Sequence, residues 1–241
     1  MEKFVHLHTH SHYSLLDGLP KIPELVDRVK EIGMNTVAIT DHGNLYAAVE
    51  FYKKATSSGV KPILGVEAYI APGSRLEKNL NGGEKYYHLI LLVKNETGWK
   101  NLLKLVTASY LEGFYYKPRM DKELLGKYHE GLIALSGCLA GEVSRNLMAK
   151  RPDEAEKAAR EYQSIFGAEN FYLEIGHHPG IKETIQVGED LIALSHKTGI
   201  PLVATQDIHY LKKEDAYYHD ILLAVQTGNK LDDADRLSMK E

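Results

Sequence analysis

The residues best suited to chemistry stand at the front of the chain. In FVHLHTHSH the histidines fall at 6, 8, 10 and 12, four of the 12 in the sequence. On an extended strand alternate side chains share a face, so this spacing aims all four imidazoles the same way. His-rich tracts are metal-binding candidates before anything else. A polar edge strand or a residual affinity tag would explain the count, but Leu7 and Thr9 are interleaved and YSLLDG follows. Further ligand-type side chains then recur near the ends of β-rich runs. Asp41 and His42 follow TVAIT, Glu67 sits late in ILGVEAYI, His88 opens YHLILLV, Cys138 follows GLIALSG, and Asp207 and His209 follow PLVAT. Taken singly, such an aspartate reads as a helix cap, the cysteine as a small buried apolar residue and His88 as a core histidine. Six strands each delivering one of these side chains point instead to a shared metal site.

The elements that must position them alternate. Short runs rich in β-branched and aromatic residues lie at 4–8, 36–40, 63–70, 87–93, 131–136, 171–175 and 201–205. Amphipathic helical patterns fall between them at 22–32, 47–57, 99–111, 152–166 and 181–197. Gly33, Gly59, Gly167 and Gly199 follow four of these where a left-handed cap is wanted. The pattern predicts an α/β fold, a distorted (β/α)7 barrel of the TIM type built on a mainly parallel sheet. In such barrels sites form at the C-terminal ends of the strands, so His8 and His10 are expected in the mouth and His6 deeper. Residues 71–86, rich in Gly, Asn and Lys, read as an exposed loop between neighbouring strands. With no internal repeat and no linker, residues 1–241 are expected to form a single domain.

Composition excludes several classes. A 44% hydrophobic, 26% charged chain is neither disordered nor fibrous. Lys+Arg 29 against Asp+Glu 33 gives a net charge of −4, so the chain has no global basic field for nucleic acid, which would have to be held locally. One cysteine rules out a disulfide framework, and no apolar run approaches the roughly 18 residues of a membrane span. The start, MEKFVHLHTH, is unlike a signal peptide. The expected setting is cytoplasmic, with no membrane partner.

Six segments carry a family likeness: FVHLHTHSHYSLLDG (4–18), AITDHGNLYAAVEFYKKA (38–55), PILGVEAYI (62–70), GFYYKPRMD (113–121), LSGCLAGEV (135–143) and PLVATQDIHYL (201–211). Together they resemble the polymerase and histidinol phosphatase (PHP) domain family, and within it the branch that opens bacterial replicative DNA polymerases. The resemblance implies nine metal-ligand positions, His8, His10, Asp17, His42, Glu67, His88, Cys138, Asp207 and His209, all ligand-competent here. It implies one ion held by His8, His10, Glu67 and Asp207, a second by Glu67, His88 and Cys138, and a third by Asp17, His42 and His209, with Glu67, Asp207 and His209 in catalytic roles. His6, His12, His129, His177, His178, His196 and His219 match no ligand position. Thiolate and imidazole ligands favour zinc and carboxylates suit manganese, while magnesium and iron also fit parts of the set.

Clustered ions with such ligands can lower the pKa of a water and neutralise both the attacking and leaving oxygens of a phosphoryl centre. The leading expectation is therefore a metal-dependent phosphodiesterase with up to three ions, a 3′–5′ DNA exonuclease that would proofread beside a polymerase. Its partners would be a single-stranded DNA 3′ end, the polymerase domains of a longer parent chain and a proofreading subunit. In GFYYKPR, Tyr115, Tyr116, Lys117 and Arg119 mix aromatic and basic character, and Arg145 follows Cys138. These are the substrate candidates, with Arg75, Lys78 and Lys85 adding local charge; core tyrosines and a solvated basic rim would account for them equally. Two other readings stand: a non-catalytic, metal-stabilised module that braces a polymerase or recruits a proofreading subunit, and a histidinol-phosphate type of phosphatase. LLDG, GFYYKPR and ATQDIHYL argue against the last. No segment supplies the carboxylate motif of a polymerase palm, so nucleotide polymerisation is not expected from this chain.

Overall fold

Strand parity decides which side chains face the site. In β2 (Lys61–Ile70) and β3 (Tyr87–Val93), Val66, Ala68, Ile70, Leu89 and Leu91 join the large core beneath the helices. Ile90 and Leu92 pack with Ala38 and Leu135 in a separate cluster. Glu67 and His88 share the parity of that second set, so it forms an apolar floor beneath them. The computed structural model describes residues 4–78, 85–178, 180–233 and 236–239.

The remaining strands are β1 (Thr36–Ile39), β4 (Phe114–Tyr115), β5 (Lys117–Met120), β6 (Leu132–Leu135), β7 (Phe171–Gly176) and β8 (Leu202–Thr205). The sheet runs β4-β5-β2-β3-β6-β7-β8, and β1 shares the edge of β2 with β5. Pairings β1–β2, β2–β5, β6–β7 and β7–β8 are parallel, whereas β3 is antiparallel to both β2 and β6. The reversal accords with the connection: among its described residues, 71–78 and 85–86, there is no helix to make a parallel crossover. It also brings His88, at the start of β3, to the mouth where the parallel strands end. Within the predicted loop, residues 79–84 lie outside the described residues.

Residues 4–8 do not form the ladder strand expected of them. His6 bridges Val37 and Thr9 bridges Ile208, each singly, and the His6 and Thr9 carbonyls accept from Ala38 and Thr40. On the other side, His10 donates to the Ile208 carbonyl and Ile208 to that of His8. This segment thus links β1 to the chain leaving β8 and closes the curled sheet, without the repeated pairing of a regular strand.

The helices α1 (Ile22–Glu31), α2 (Ala48–Ser57), α3 (Glu96–Leu111), α6 (Pro152–Phe166) and α7 (Lys182–Thr198) match the amphipathic patterns to within a few residues. In α1 the buried stripe is Ile22, Leu25, Val26 and Val29, the spacing of one helical face. Gly199 ends α7 in the left-handed conformation. Three helices had no periodic signal: α4 (Lys122–Tyr128), α5 (Glu142–Met148) and α8 (Ala216–Thr227). No helix among the described residues is long and apolar enough to cross a membrane.

Candidate metal centre

Register places the predicted ligands in pairs. Thr9 and Ile208 bridge in parallel, so the residues flanking them, His8 and His10 with Asp207 and His209, fall side by side. His42 bridges Glu67 in the same way. His88 pairs with Tyr69 on β2, two residues from Glu67 and on the adjoining strand. Asp207 adopts a φ of 49°, in the left-handed region that a non-glycine residue enters only where its surroundings enforce it. Asp17 is held by a close turn: a Cβ on Gly18 would lie 2.1 Å from the Ser11 carbonyl oxygen, so only glycine fits there.

The other eight predicted side chains gather around Glu67, directly or through its neighbours, and Glu67 itself is 1% exposed. Glu67 Oε2 lies 2.6 Å from His42 Nδ1 and 3.4 Å from His10 Nε2. Its Oε1 lies 2.8 Å from His88 Nδ1, 3.4 Å from His8 Nε2 and 3.8 Å from Cys138 Sγ. Asp207 Oδ1 stands 3.1 Å from His8 Nε2, 3.4 Å from His10 Nε2 and 3.5 Å from His209 Nδ1. Asp17 Oδ2 approaches His42 Nε2 to 2.7 Å and His209 Nε2 to 3.7 Å.

Some of these atoms satisfy one another, as His42 Nε2 with Asp17 and His88 Nδ1 with Glu67 do, and others are left over. His42 Nδ1, Glu67 Oε2 and Asp207 Oδ1 are buried without a hydrogen-bond partner, although the first two lie 2.6 Å apart. Buried polar atoms are almost always satisfied, so several such atoms facing a common space call for a ligand. Three residue sets bring donor atoms mutually within 4.8 Å: His8, His10 and Asp207; His10, His42 and His209; and His42, Glu67 and His88. Nitrogen, carboxylate and thiol donors of this kind could hold divalent ions.

The same groups set one another's charge. Burial would raise the Glu67 carboxyl, but His88, His42 and His8 hold it well below the usual carboxylate range. Asp207 is lowered in the same way, against burial, by His8, His209 and His10. Burial opposes protonation of His42, yet Glu67 and Asp17 on either side raise it to about 10. His10 falls to about 3 through burial and the neighbouring His42 and His209. Burial, then Asp207 and Glu67, push the Cys138 thiol up. A cation reverses that local logic by favouring thiolate.

A supporting layer fixes the imidazoles. His8 Nδ1 donates to Glu174 Oε1 at 2.7 Å, and Thr205 Oγ1 donates to the same oxygen at 2.6 Å. His10 Nδ1 meets Ser14 Oγ at 2.8 Å, and Ser14 in turn donates to Asp41 at 2.7 Å. Sequence reasoning missed Glu174, although it stands late in a buried strand at the parity of the inward-packing Tyr172. Among the histidines matching no ligand position, His219 comes nearest the site, buried at 1% exposure with Nε2 3.9 Å from Asp17 Oδ1. His12 is held instead at the Pro20 carbonyl and His129 at that of Gly126.

The substrate candidates separate. Lys117 reaches the mouth, its Nζ 5.5 Å from the Tyr69 ring. Arg145, exposed on α5, lines a second cavity beside Cys138, Glu174 and Asp207. Tyr115 is half-buried, and Tyr116 is exposed with Lys85 Nζ 3.8 Å above its ring. Arg119, expected among the substrate contacts, is fully buried, and its guanidinium donates to the carbonyls of Gly113, Lys85, Arg75 and Glu77. Arg75 is tied to Asp121 and Glu112, while Lys78 is exposed. The hairpin β4–β5 turns at Tyr116, which leaves Phe114 and Tyr116 exposed while Pro118 and Arg119 are buried.

This fold and site define the class: residues 6–178 match the PHP domain, and the chain belongs to that family. Among its relatives, the DNA polymerase III subunit alpha of Borreliella burgdorferi is 48% identical over 239 residues, covering 99% of this chain and 21% of the relative. That of Thermus aquaticus is 50% identical over 240 residues, covering 97% and 19%. The chain thus spans about a fifth of the length of the curated relatives it matches. An amidohydrolase from Chromobacterium violaceum shares the fold at 15% identity with a TM-score of 0.53, over 85% of this chain and 87% of that one.

Proposed function

We propose that the chain is a metal-dependent phosphodiesterase that shortens single-stranded DNA from its 3′ end, and that residues 1–241 form the PHP domain of a replicative polymerase alpha subunit. The supporting observation is Glu67, buried and surrounded by nitrogens of His8, His10, His42 and His88 and by the Cys138 thiol. On this reading three ions are held: one by His8, His10, Glu67 and Asp207, a second by Glu67, His88 and Cys138, a third by Asp17, His42 and His209. Zinc and manganese suit the donors best, with magnesium and iron compatible with parts of the set. Bound there, divalent ions supply an acidified water and counter-charge for the entering and departing phosphoryl oxygens.

The side chains prepare that chemistry. Glu67 and Asp207 stay anionic in the buried mouth. His209 Nδ1 donates to the Asp207 carbonyl at 2.9 Å, which leaves Nε2, facing Asp17, to ligate or to accept a proton. The apolar floor of Ala38, Ile90, Leu92 and Leu135 closes the site from below and lowers its dielectric. The partners implied are polymerase domains and a proofreading subunit, and the compartment is the cytoplasm.

The test is an end-labelled single-stranded oligonucleotide incubated with zinc or manganese and then with chelator. A metal-dependent ladder is expected, with Asp207→Ala slower by at least about 100-fold. No ladder with any metal, or an Asp207→Ala rate equal to wild type, overturns the reading. Metal-raised thermal stability without ester cleavage would indicate the bracing module instead, and release of phosphate from monoesters the small-molecule phosphatase.

A further inference from the structure

Beside the metal centre lies a cleft of about 410 Å³, bordered by Asp17, His42 and His88. Five tyrosines from five separate segments line it: Tyr13, Tyr46, Tyr69, Tyr86 and Tyr110. Tyr69 forms a fixed base, nearly parallel to the His42 ring (21°, centroids 5.9 Å apart) and edge-on to Tyr86 at 4.9 Å. Tyr86 lies parallel to His88, 13° between planes. Tyr46 and Tyr110 stand 59% and 38% exposed and so present aromatic surface at the mouth. Lys117 is the cation among the described lining residues.

We infer that this cleft is a base-stacking subsite for the terminal nucleotides of a single strand. The inference rests on the phosphodiesterase reading and names where its substrate lies. Aromatic faces accept any base, so they give affinity without sequence preference. A chain of net charge −4 cannot rely on a broad basic field, and stacking supplies what phosphate attraction does not. A base laid on Tyr86 or Tyr46 brings its phosphodiester toward His42, His88 and Asp17, with Lys117 beside it. The cavity on the Cys138 side is walled mainly by aliphatic groups such as Leu139, Met148 and Ile175, with His178 as its one ring among the described lining residues, against five tyrosines here.

The experiment is fluorescence anisotropy with a labelled oligothymidylate and with the same oligomer carrying abasic residues at its 3′ end, alongside hydrolysis of both. Tyr46→Ala and Tyr86→Ala are expected to bind the normal oligomer roughly 5- to 100-fold more weakly, Tyr46→Phe to keep most of the affinity, and Tyr52→Ala, on the exposed face of α2, to match wild type. The abasic oligomer should bind wild type as weakly as the normal one binds the alanine variants. Base-dependent binding lost in those variants, with neither oligomer hydrolysed, upholds the cleft and removes the hydrolase reading. Hydrolysis with equal affinity for the two oligomers, or alanine variants that bind like wild type, overturns the cleft and leaves the hydrolase reading intact.

Discussion

At Glu174 a single oxygen receives both the His8 Nδ1 proton and the Thr205 hydroxyl. That contact fixes the His8 tautomer, leaving Nε2 directed at Glu67 and Asp207. Replacing the carboxylate by an amide keeps the shape and weakens the orienting charge. Glu174→Gln should lower metal affinity about 10- to 100-fold, read by competition with a chromophoric chelator. Unchanged affinity would show that packing alone orients His8. At this scale part of the site was legible: donor types recur at the ends of β-rich runs, while Asp17, which follows no such run, was indicated only by the family resemblance. Glu174 and Arg119 were not legible, because a glutamate or arginine gains its role only from what lies across the fold.

Among the elements, Arg119 shows how the sheet and its surrounding loops are joined. On β5, its guanidinium reaches carbonyls at residues 75, 77, 85 and 113, so one side chain gathers both sides of the β2–β3 connection and the start of the hairpin. Arg119→Met fills similar volume and leaves those carbonyls without their charged donor. We expect a loss of about 3 kcal/mol in urea unfolding, with the midpoint shifted and the slope kept. A change under about 0.5 kcal/mol would mean that water replaces the donor at no cost. The long helices were readable because an amphipathic stripe repeats over several turns, and Pro152–Phe166 has the bounds the pattern predicts. The two-residue strand β4 and the seven-residue helices α4 and α5 are too short to show a period. The first segment reads as a strand by alternation, yet single bridges hold it, because it must serve β1 on one side and residue 208 on the other.

For the molecule as a whole, residues from 8 to 209 meet at one centre, so ions there would tie the first segment, β2, β3 and the chain after β8 together. Binding to the folded state alone adds about 2.7 kcal/mol per site at a hundredfold excess over Kd. For a chain of this size that corresponds to roughly 5–10 °C. A chelator is expected to lower the melting temperature by at least this much and added zinc or manganese to restore it, measured by calorimetry. A temperature unmoved by chelator and metal alike would count against bound ions in this centre.

The sequence by itself determined the donor chemistry, the alternation of strands and helices, and the family, because residue type and periodicity are local properties. Only the tertiary structure decided the rest: the direction of β3, the buried fate of Arg119, the support from Glu174, and the meeting of five tyrosines beside three metal-ligand candidates. Those depend on register and on which segments lie adjacent after the sheet curls, and no window of the chain contains that information.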